Sequence, residues 1–310
     1  MGCCITEFDL IEAIKNKCET LVSNTILGIG DDAAIVQPNP SAQLVISTDT
    51  LVEDVHFKAS DPPDAIGHKA LAVNLSDMAA MAATPKWALL NLTLPKIDKK
   101  WLNGFIKGFA TLSAKHKVQL IGGDTTQGPL NIAVTVMGET PRAIRRDGAQ
   151  TNDLIVLTGE VGSAAFALQN PRRSKECNNQ LKKPEPRLDI ASKVSVIATA
   201  MIDVSDGLLA DLGHICLASD VAAVIELTQI PTHPIVRKNK DWKRFVLAGG
   251  DDYQLCFTIN IEDEDKLPDD CHIIGQILAN NASSAERVMV LNQHQPMETD
   301  FTGYQHFNDD

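Results

Sequence analysis

The sequence predicts a two-domain protein of mixed α/β (α+β) class, and three observations carry that prediction. A chain of 310 residues is long enough for two medium domains, each with its own core. Short apolar strand-like runs alternate with longer helix-like stretches from one end to the other. Just after residue 140 the alternation breaks into a polar, basic stretch, RAIRRDGAQTND, running from Arg142 to Asp153. The domains are therefore drawn at 1–140 and 141–310.

The elements follow in order. A helix is expected over 6–22, with Thr6 as N-cap and Phe8, Ile11, Leu21 and Val22 near one stripe. Strands are expected at 33–36 and 44–48. After the Pro62–Pro63 pair, 64–83 is rich in Ala, Leu and Met and reads as a long helix. Residues 87–94 form an apolar strand stopped by Pro95. A helix over 101–114, a short buried strand at 118–121 and a strand at 132–137 complete the first half. The second half opens with a strand at 154–157 and a helix from about Val161. Residues 170–186, NPRRSKECNNQLKKPEP, are polar and aperiodic and predict a mobile loop. Helices at 188–198 and 205–218 flank a strand at 201–204, and later strands are expected at 222–227, 253–259, 273–278 and 288–291. There is no internal repeat.

Composition narrows the function. The chain carries 28 Lys and Arg against 40 Asp and Glu, a net charge of −12. Such a chain has no general attraction for nucleic acid or an anionic membrane. No apolar run reaches the ~20 residues of a membrane span. The start, MGCCITEFDL, lacks a basic segment followed by an apolar run, so a cytoplasmic location is expected. The seven cysteines (Cys3, Cys4, Cys18, Cys177, Cys216, Cys256 and Cys271) include no C-x-x-C pair, which argues against a disulfide framework and a zinc site. A phosphate-bearing ligand meets repulsion here unless a cation intervenes.

Many acids lie in solvated runs such as 261–270. Others are expected to terminate an apolar strand or open a helix: Asp31 and Asp32 in GIGDDAAIV, Asp49 in LVISTDT, Asp77 in LAVNLSDMAAM, Asp124 in QLIGGDTT, Asp203 and Asp206 in MIDVSDGLL, and Asp251 and Asp252 in AGGDDYQLCF. Strand ends are where α/β proteins place ligands. One such Asp is commonly a helix N-cap, but capping alone does not explain the recurrence. Hard divalent cations prefer oxygen donors, and Ser47, Thr48 and Thr125 add hydroxyls beside these acids. Several Mg²⁺ ions would neutralise the carboxylates and draw in a polyphosphate.

Other motifs fail. GIGDDA matches G-x-G-x-x-A, yet a strand rather than a helix is expected after it, and two Asp would face the pyrophosphate. There is no P-loop, H-E-x-x-H or G-x-S-x-G. His56 stands apart from the other histidines because it follows the Asp49 strand closely, in LVEDVHF. Cys3 and Cys4 have no Lys or His near them in sequence to activate a thiol.

GIGDDAAIV, STDTLVEDVHF, KALAVNLSDMAAM, IGGDTTQGPL, MIDVSDGLLADLGHI and GGDDYQLCFT, in this order, resemble the thiamine-monophosphate kinase family of the aminoimidazole-ribotide-synthetase-like ATP-binding superfamily. The resemblance extends from about Phe8 to Phe307, including the closing GYQHF. It implies the two-domain aminoimidazole-ribotide-synthetase-like fold. An N-terminal mixed sheet with helices would pair with a second subunit in a homodimer, followed by a C-terminal α/β domain. It also implies transfer of the ATP γ-phosphoryl group to thiamine monophosphate, with Mg²⁺ and K⁺ as activator. By the same resemblance, Asp32, Ser47, Thr48, Asp49, Asp77, Asp124, Asp203 and Asp206 match metal positions. Gly123, Asp124, Arg146 and Ser205 match the nucleotide side, and His56, Asp251 and Tyr304 match positions that touch thiamine phosphate. Asp49, Asp124 and Arg146 stand as the catalytic group. On sequence alone, Arg146 also fits a solvated basic run with Arg142 and Arg145, and Tyr304 fits a packing anchor. Three departures are evident: Asp251 and Gln254 stand where the family usually has Glu, and Asp54 where Gly or Asn is common.

Rival readings are a selenophosphate synthetase, an aminoimidazole-ribotide synthetase or a non-catalytic nucleotide binder. The first needs a reactive Cys or selenocysteine with a nearby Lys, which Cys3 and Cys4 do not supply. The full set of acids argues against a decayed site.

Overall fold

The computed structural model of the chain describes residues 7–280, 287–304 and 306, with side chains from residue 11 onward. Cys3, Cys4, Thr6 and Phe307, and the side chain of Phe8, lie outside the described residues. The chain forms two compact units, one of residues up to 78 with 83–143, the other of 79–82 with residues from 144 on.

In the first unit, α1 (Glu7–Lys17) leads into an antiparallel pair, β1 (Thr25–Leu27) and β2 (Ile35–Val36). Then come β3 (Gln43–Val52), α2 (Pro63–Ala80), β4 (Thr84–Leu94), α3 (Lys99–His116), β5 (Gln119–Gln127) and β6 (Asn131–Thr140). The sheet order is β3-β6-β4-β5, with β4 and β5 parallel and the other pairs antiparallel. Along β6 every second residue is buried, including Ile132, Val134 and Val136, as the two-residue period of a strand with one covered face requires. The Asp98 carboxylate starts α3 by accepting from the N–H groups of Lys100 and Trp101, at 2.9 and 3.1 Å. Leu102, Phe105, Ile106, Phe109 and Leu112 make its buried stripe. Helices α2 and α3 meet backbone to backbone. A Cβ on Gly108 would lie 1.9 Å from the Asp64 carbonyl oxygen, and one on Gly67 would lie 2.0 Å from that of Phe105.

In the second unit, β7 (Leu154–Thr158) precedes α4 (Ser163–Gln169), α5 (Lys175–Lys182), α6 (Leu188–Val194) and β8 (Ala198–Asp203). Next come α7 (Leu208–Ala218), β9 (Val221–Glu226), α8 (Pro234–Arg237), α9 (Trp242–Ala248) and β10 (Leu255–Ile259). The unit closes with β11 (Cys271–Ala279), β12 (Val288–Asn292) and β13 (Gln295–Met297). The order β13-β12-β9-β11-β7-β10-β8 is antiparallel except for the parallel β12–β9 pair. Alternate residues of one strand feed two cores. Ile155 and Leu157 pack with Leu212, Ile215 and Phe245, whereas Leu154 and Val156 pack with Ile190 and Val194. Both faces of the sheet are thus covered, which is why its central strands are continuous apolar runs.

Several sequence expectations need correction. The span 170–186 is not a structureless loop: it contains α5, capped by Ser174 and anchored by buried Cys177 and by Leu181, two apolar residues being too few to show a period. The opening helix ends at Lys17 and not at 22. The expected helix 188–198 stops at Val194, because Ala198 already pairs in β8. The helix expected from Ser205 starts at Leu208, after a turn in which Gly207 has φ 125°. Strand β10 starts at Leu255 and not at Tyr253, because Asp251 and Tyr253 both adopt positive φ (66° and 50°). Strand β5 continues to Gln127, well past 121. Strands β1 and β13 and helices α8 and α9 were not anticipated; they are short, or lack a sustained period.

Replacing a helical Gly by Ala ordinarily stabilises by up to about 1 kcal/mol. At Gly108 the sign reverses, because the methyl meets backbone. Gly108→Ala is expected to lower stability by about 1–3 kcal/mol in denaturant or thermal unfolding.

Candidate active site

In the first unit, β3 presents the predicted residues on two faces. Its even residues Leu44, Ile46, Thr48 and Thr50 are exposed, while Ser47 and Asp49 are half-buried on the opposite face. The Ser47 hydroxyl donates to the Asp77 carboxylate, and Asn74 of α2 accepts from the Asp49 N–H at 3.1 Å. Asp77 lies inside α2, so it neither ends a strand nor opens a helix as expected. Asp49 and Asp124 likewise sit within β3 and β5, not at their ends. The Thr48 hydroxyl turns to the other face, where it donates to the Val134 carbonyl at 3.1 Å and accepts from Thr135 at 3.0 Å. The structure thus brings Ser47 and Asp77 together and keeps the Thr48 side chain away from them.

Asp31 and Asp32 are exposed between β1 and β2, and the Asp31 carboxylate accepts from the Asp32 N–H at 2.9 Å. Asp124 is exposed next to Gly123, whose φ is 147°. A Cβ on Gly123 would lie 1.8 Å from the Leu90 carbonyl oxygen, so only glycine fits there. A cavity of about 920 Å³ opens here, walled by apolar residues such as Ile11, Leu120 and Met137 and rimmed by Asp31, Asp32 and Asp124.

His56 follows β3 in a turn. Its Nδ1 accepts from the Val52 N–H at 3.0 Å, so the neutral ring carries its proton on Nε2, a donor suited to an anion. Asp54, in the same turn, has φ 64°, the conformation Gly and Asn adopt most readily. That is the physical sense of the family's usual choice at this position.

In the second unit, Arg146 is exposed in a short turn, and its carbonyl accepts from the Ser219 hydroxyl at 2.8 Å. Arg145, beside it, pairs with Asp147. Asp203 ends β8, as expected, and is buried. Ser205 and Asp206 occupy the turn before α7. The Asp251 carboxylate accepts from the Tyr253 hydroxyl at 2.9 Å. Gln254 accepts through its amide oxygen from Thr158 and from the Arg187 Nε, at 2.9 and 2.7 Å, serving as an acceptor without the charge of a Glu. The Tyr304 hydroxyl lies 3.4 Å from the His306 Nδ1.

Two buried acids, Asp211 and Asp252, lie next to the predicted site residues. Asp211 accepts from the N–H groups of Ser205, Asp206 and Gly207, at 3.0, 3.1 and 3.1 Å. Burial, and then the Asp206 charge, push its carboxyl up to about 7 against the pull of those donors. Asp252 accepts from the N–H groups of Gly162 and Ala164, at 2.6 and 3.2 Å, and burial pushes it up to about 7 as well. Asp211 gave a faint signal, being an acid in the first turn of a helix. Asp252 reads in the sequence only as one more acid beside an apolar strand, because its partners lie about ninety residues earlier.

Among the described residues, no three His, Cys, Asp or Glu side chains are grouped so as to hold a metal ion. The donors present are carboxylates and hydroxyls, a hard oxygen set that suits Mg²⁺ completed by substrate phosphates and water. No helix among the described residues is long and apolar enough to cross a membrane.

The family described as AIR synthase related protein, N-terminal domain, matches residues 30–140. A thiamine-monophosphate kinase of Haemophilus influenzae is 37% identical over a 325-residue alignment that covers 98% of each chain. The crystal structure of thiamine-monophosphate kinase from Stenotrophomonas maltophilia is 39% identical, with TM-score 0.83, covering 92% of this chain and 96% of that one. The structure of AaThiL complexed with AMPPCP and TMP is 30% identical, with TM-score 0.77 and 97% of each chain covered. The two-unit fold described above is therefore the AIR-synthase-like one, and the chain belongs to the thiamine-monophosphate kinase family.

Proposed function

We propose that this chain transfers the γ-phosphoryl group of ATP to thiamine monophosphate, giving ADP and thiamine diphosphate in the cytoplasm. The observation that carries this reading is the end-to-end likeness to thiamine-monophosphate kinases, one of them complexed with AMPPCP and TMP. AMPPCP is an ATP analogue, so that complex pairs a nucleotide with a phosphate acceptor.

The acceptor is a phosphate monoester, already largely ionised near neutral pH because its second pKa is about 6. No side chain has to remove a proton, and no covalent phospho-enzyme forms. The obstacle is repulsion between two anions that must meet in line. In the first domain Asp32, Ser47, Asp49, Asp77 and Asp124 would hold Mg²⁺, the Thr48 hydroxyl being engaged on the opposite face of β3; in the second domain Asp203 and Asp206 would do so. The metal supplies charge neutralisation and a template for the phosphates, with K⁺ as a monovalent activator. Ser47, held by Asp77, presents its hydroxyl oxygen at a set position on β3. The cavity beside Gly123 and Asp124 has room for a nucleoside, and the bare Gly123 backbone lets the phosphates approach closely. Arg146 adds a permanent positive charge for the nucleotide phosphates, and Ser205 a hydroxyl for the nucleotide. His56 donates from Nε2 to the acceptor's phosphate. Tyr304 faces the cationic thiazolium as a cation–π partner, and Asp251, braced by Tyr253, reaches the rest of the thiamine.

The reading includes a homodimer through the first domain's sheet. Strand β3 is its edge, with Leu44 and Ile46 on an outward face, 41% and 59% exposed. A second copy would cover these apolar residues, which otherwise stand in water.

Asp49→Ala and Asp124→Ala are each expected to lower kcat roughly a hundredfold or more, about 3 kcal/mol, in an ADP-release assay at saturating Mg²⁺. Near wild-type turnover removes the residue from the catalytic group. In sedimentation, Ile46→Lys is expected to shift a dimer toward monomer, since it sets a charge against its symmetry mate. An unchanged dimer places the interface elsewhere.

A further inference from the structure

The turn before α7 contains three consecutive peptide groups that are each held on both edges. The N–H groups of Ser205, Asp206 and Gly207 all point to one oxygen of Asp211. The carbonyl oxygens of those same three peptide groups belong to Val204, Ser205 and Asp206. They accept from the N–H groups of Tyr253, Asp251 and Tyr304, at 2.9, 2.9 and 3.0 Å. Each peptide group is planar and rigid, so moving its N–H edge moves its carbonyl edge. An N–H that donates to a carboxylate also polarises its own peptide group and strengthens the carbonyl as an acceptor. The fit is close on the carbonyl side: a Cβ on Gly250 would lie 2.4 Å from the Ser205 oxygen, and one on Gly303 would lie 3.0 Å from the Asp206 oxygen.

We infer that Asp211 is a positioning residue that sets both substrate subsites of the second domain in one frame. The turn's side chains, Ser205 and Asp206, serve the nucleotide and metal side. Its carbonyls hold Asp251 and Tyr304, which serve the thiamine side, together with Tyr253, which braces Asp251. Asp211 touches neither substrate and acts through these residues. The inference rests on the roles proposed above, and it adds that the two subsites do not vary independently.

Asp211→Asn keeps one oxygen acceptor and loses the charge, which weakens all three bonds. Amide exchange is expected to accelerate roughly fivefold or more at Ser205, Asp206 and Gly207, and also at Asp251, Tyr253 and Tyr304. KM for ATP and KM for thiamine monophosphate are expected to rise together by a similar factor. Glu226→Gln is the control, because Glu226 is also a buried carboxylate in this domain, accepting from Thr228, Gln293 and His294. It is expected to leave both KM values unchanged. In the unmodified chain, adding Mg²⁺ and ADP is expected to slow exchange at the Asp251 and Tyr304 amides, a readout that needs no variant. Faster exchange confined to 205–207 overturns the inference, as do equal KM changes in Glu226→Gln or no response of Asp251 and Tyr304 to Mg²⁺ and ADP. Tyr304→Ala separates the two layers. If it leaves KM for thiamine monophosphate unchanged, the proposed role of Tyr304 fails, and exchange at its amide still decides the coupling.

Discussion

An uncompensated carboxylate repels a phosphate, and that constraint organises this protein. The chain carries 40 acidic residues against 28 basic ones, and its family acts on two phosphate-bearing molecules. The candidate acids lie on several elements of both units. Among the described residues none forms a ready-made cluster of three. They are spaced singly along rigid elements: Asp49 and Asp124 on strands, Asp77 inside a helix, Asp206 in a turn braced from below. Such spacing limits the cost of packing like charges together.

The same constraint explains how much backbone serves the site. Neutral N–H groups attract anions without adding net charge, and they need close approach. Gly123, where a Cβ would collide with Leu90, gives that approach in the first domain. In the second domain the N–H groups of the turn are turned inward to Asp211, and the side chains of Ser205 and Asp206 are partly exposed. Asp252 and the strained Asp251 and Tyr253 finish a loop whose shape is set from within the core. Strain of this kind survives only where surrounding bonds over-determine the conformation, and here three backbone bonds do so.

Much of this was legible in the sequence, for reasons that can be named. Helix α2 follows from its Ala-, Leu- and Met-rich run after a Pro pair, and α3 and the apolar strands of the second sheet follow from their patterns of burial. The acids were found through their neighbours, Gly and Ser or Thr beside an apolar run. Their exact setting was not. The reading of 118–121 as a strand stopped at Gly122 and Gly123, since glycine normally weakens a strand, whereas β5 runs through both because parallel pairing with β4 holds them. Helix α5 escapes a periodicity reading because only Cys177 and Leu181 attach it to the core. The opposite facing of Ser47 and Thr48 follows from the two-residue period of β3 once the strand is known to continue to Val52. Asp252 was noted only as one more acid at a strand end; its role was hidden because its partners are distant in the chain, which no local pattern reports.

The central claim is that phosphoryl transfer here depends on cations held by dispersed oxygen donors. It is tested most directly by following ADP and thiamine diphosphate together while Mg²⁺ is titrated at fixed ATP and thiamine monophosphate. The account predicts the two products in equal amounts, rising from nothing in the presence of a chelator to a plateau with Mg²⁺. Turnover that persists undiminished in the chelator, or ADP released without thiamine diphosphate, would contradict it.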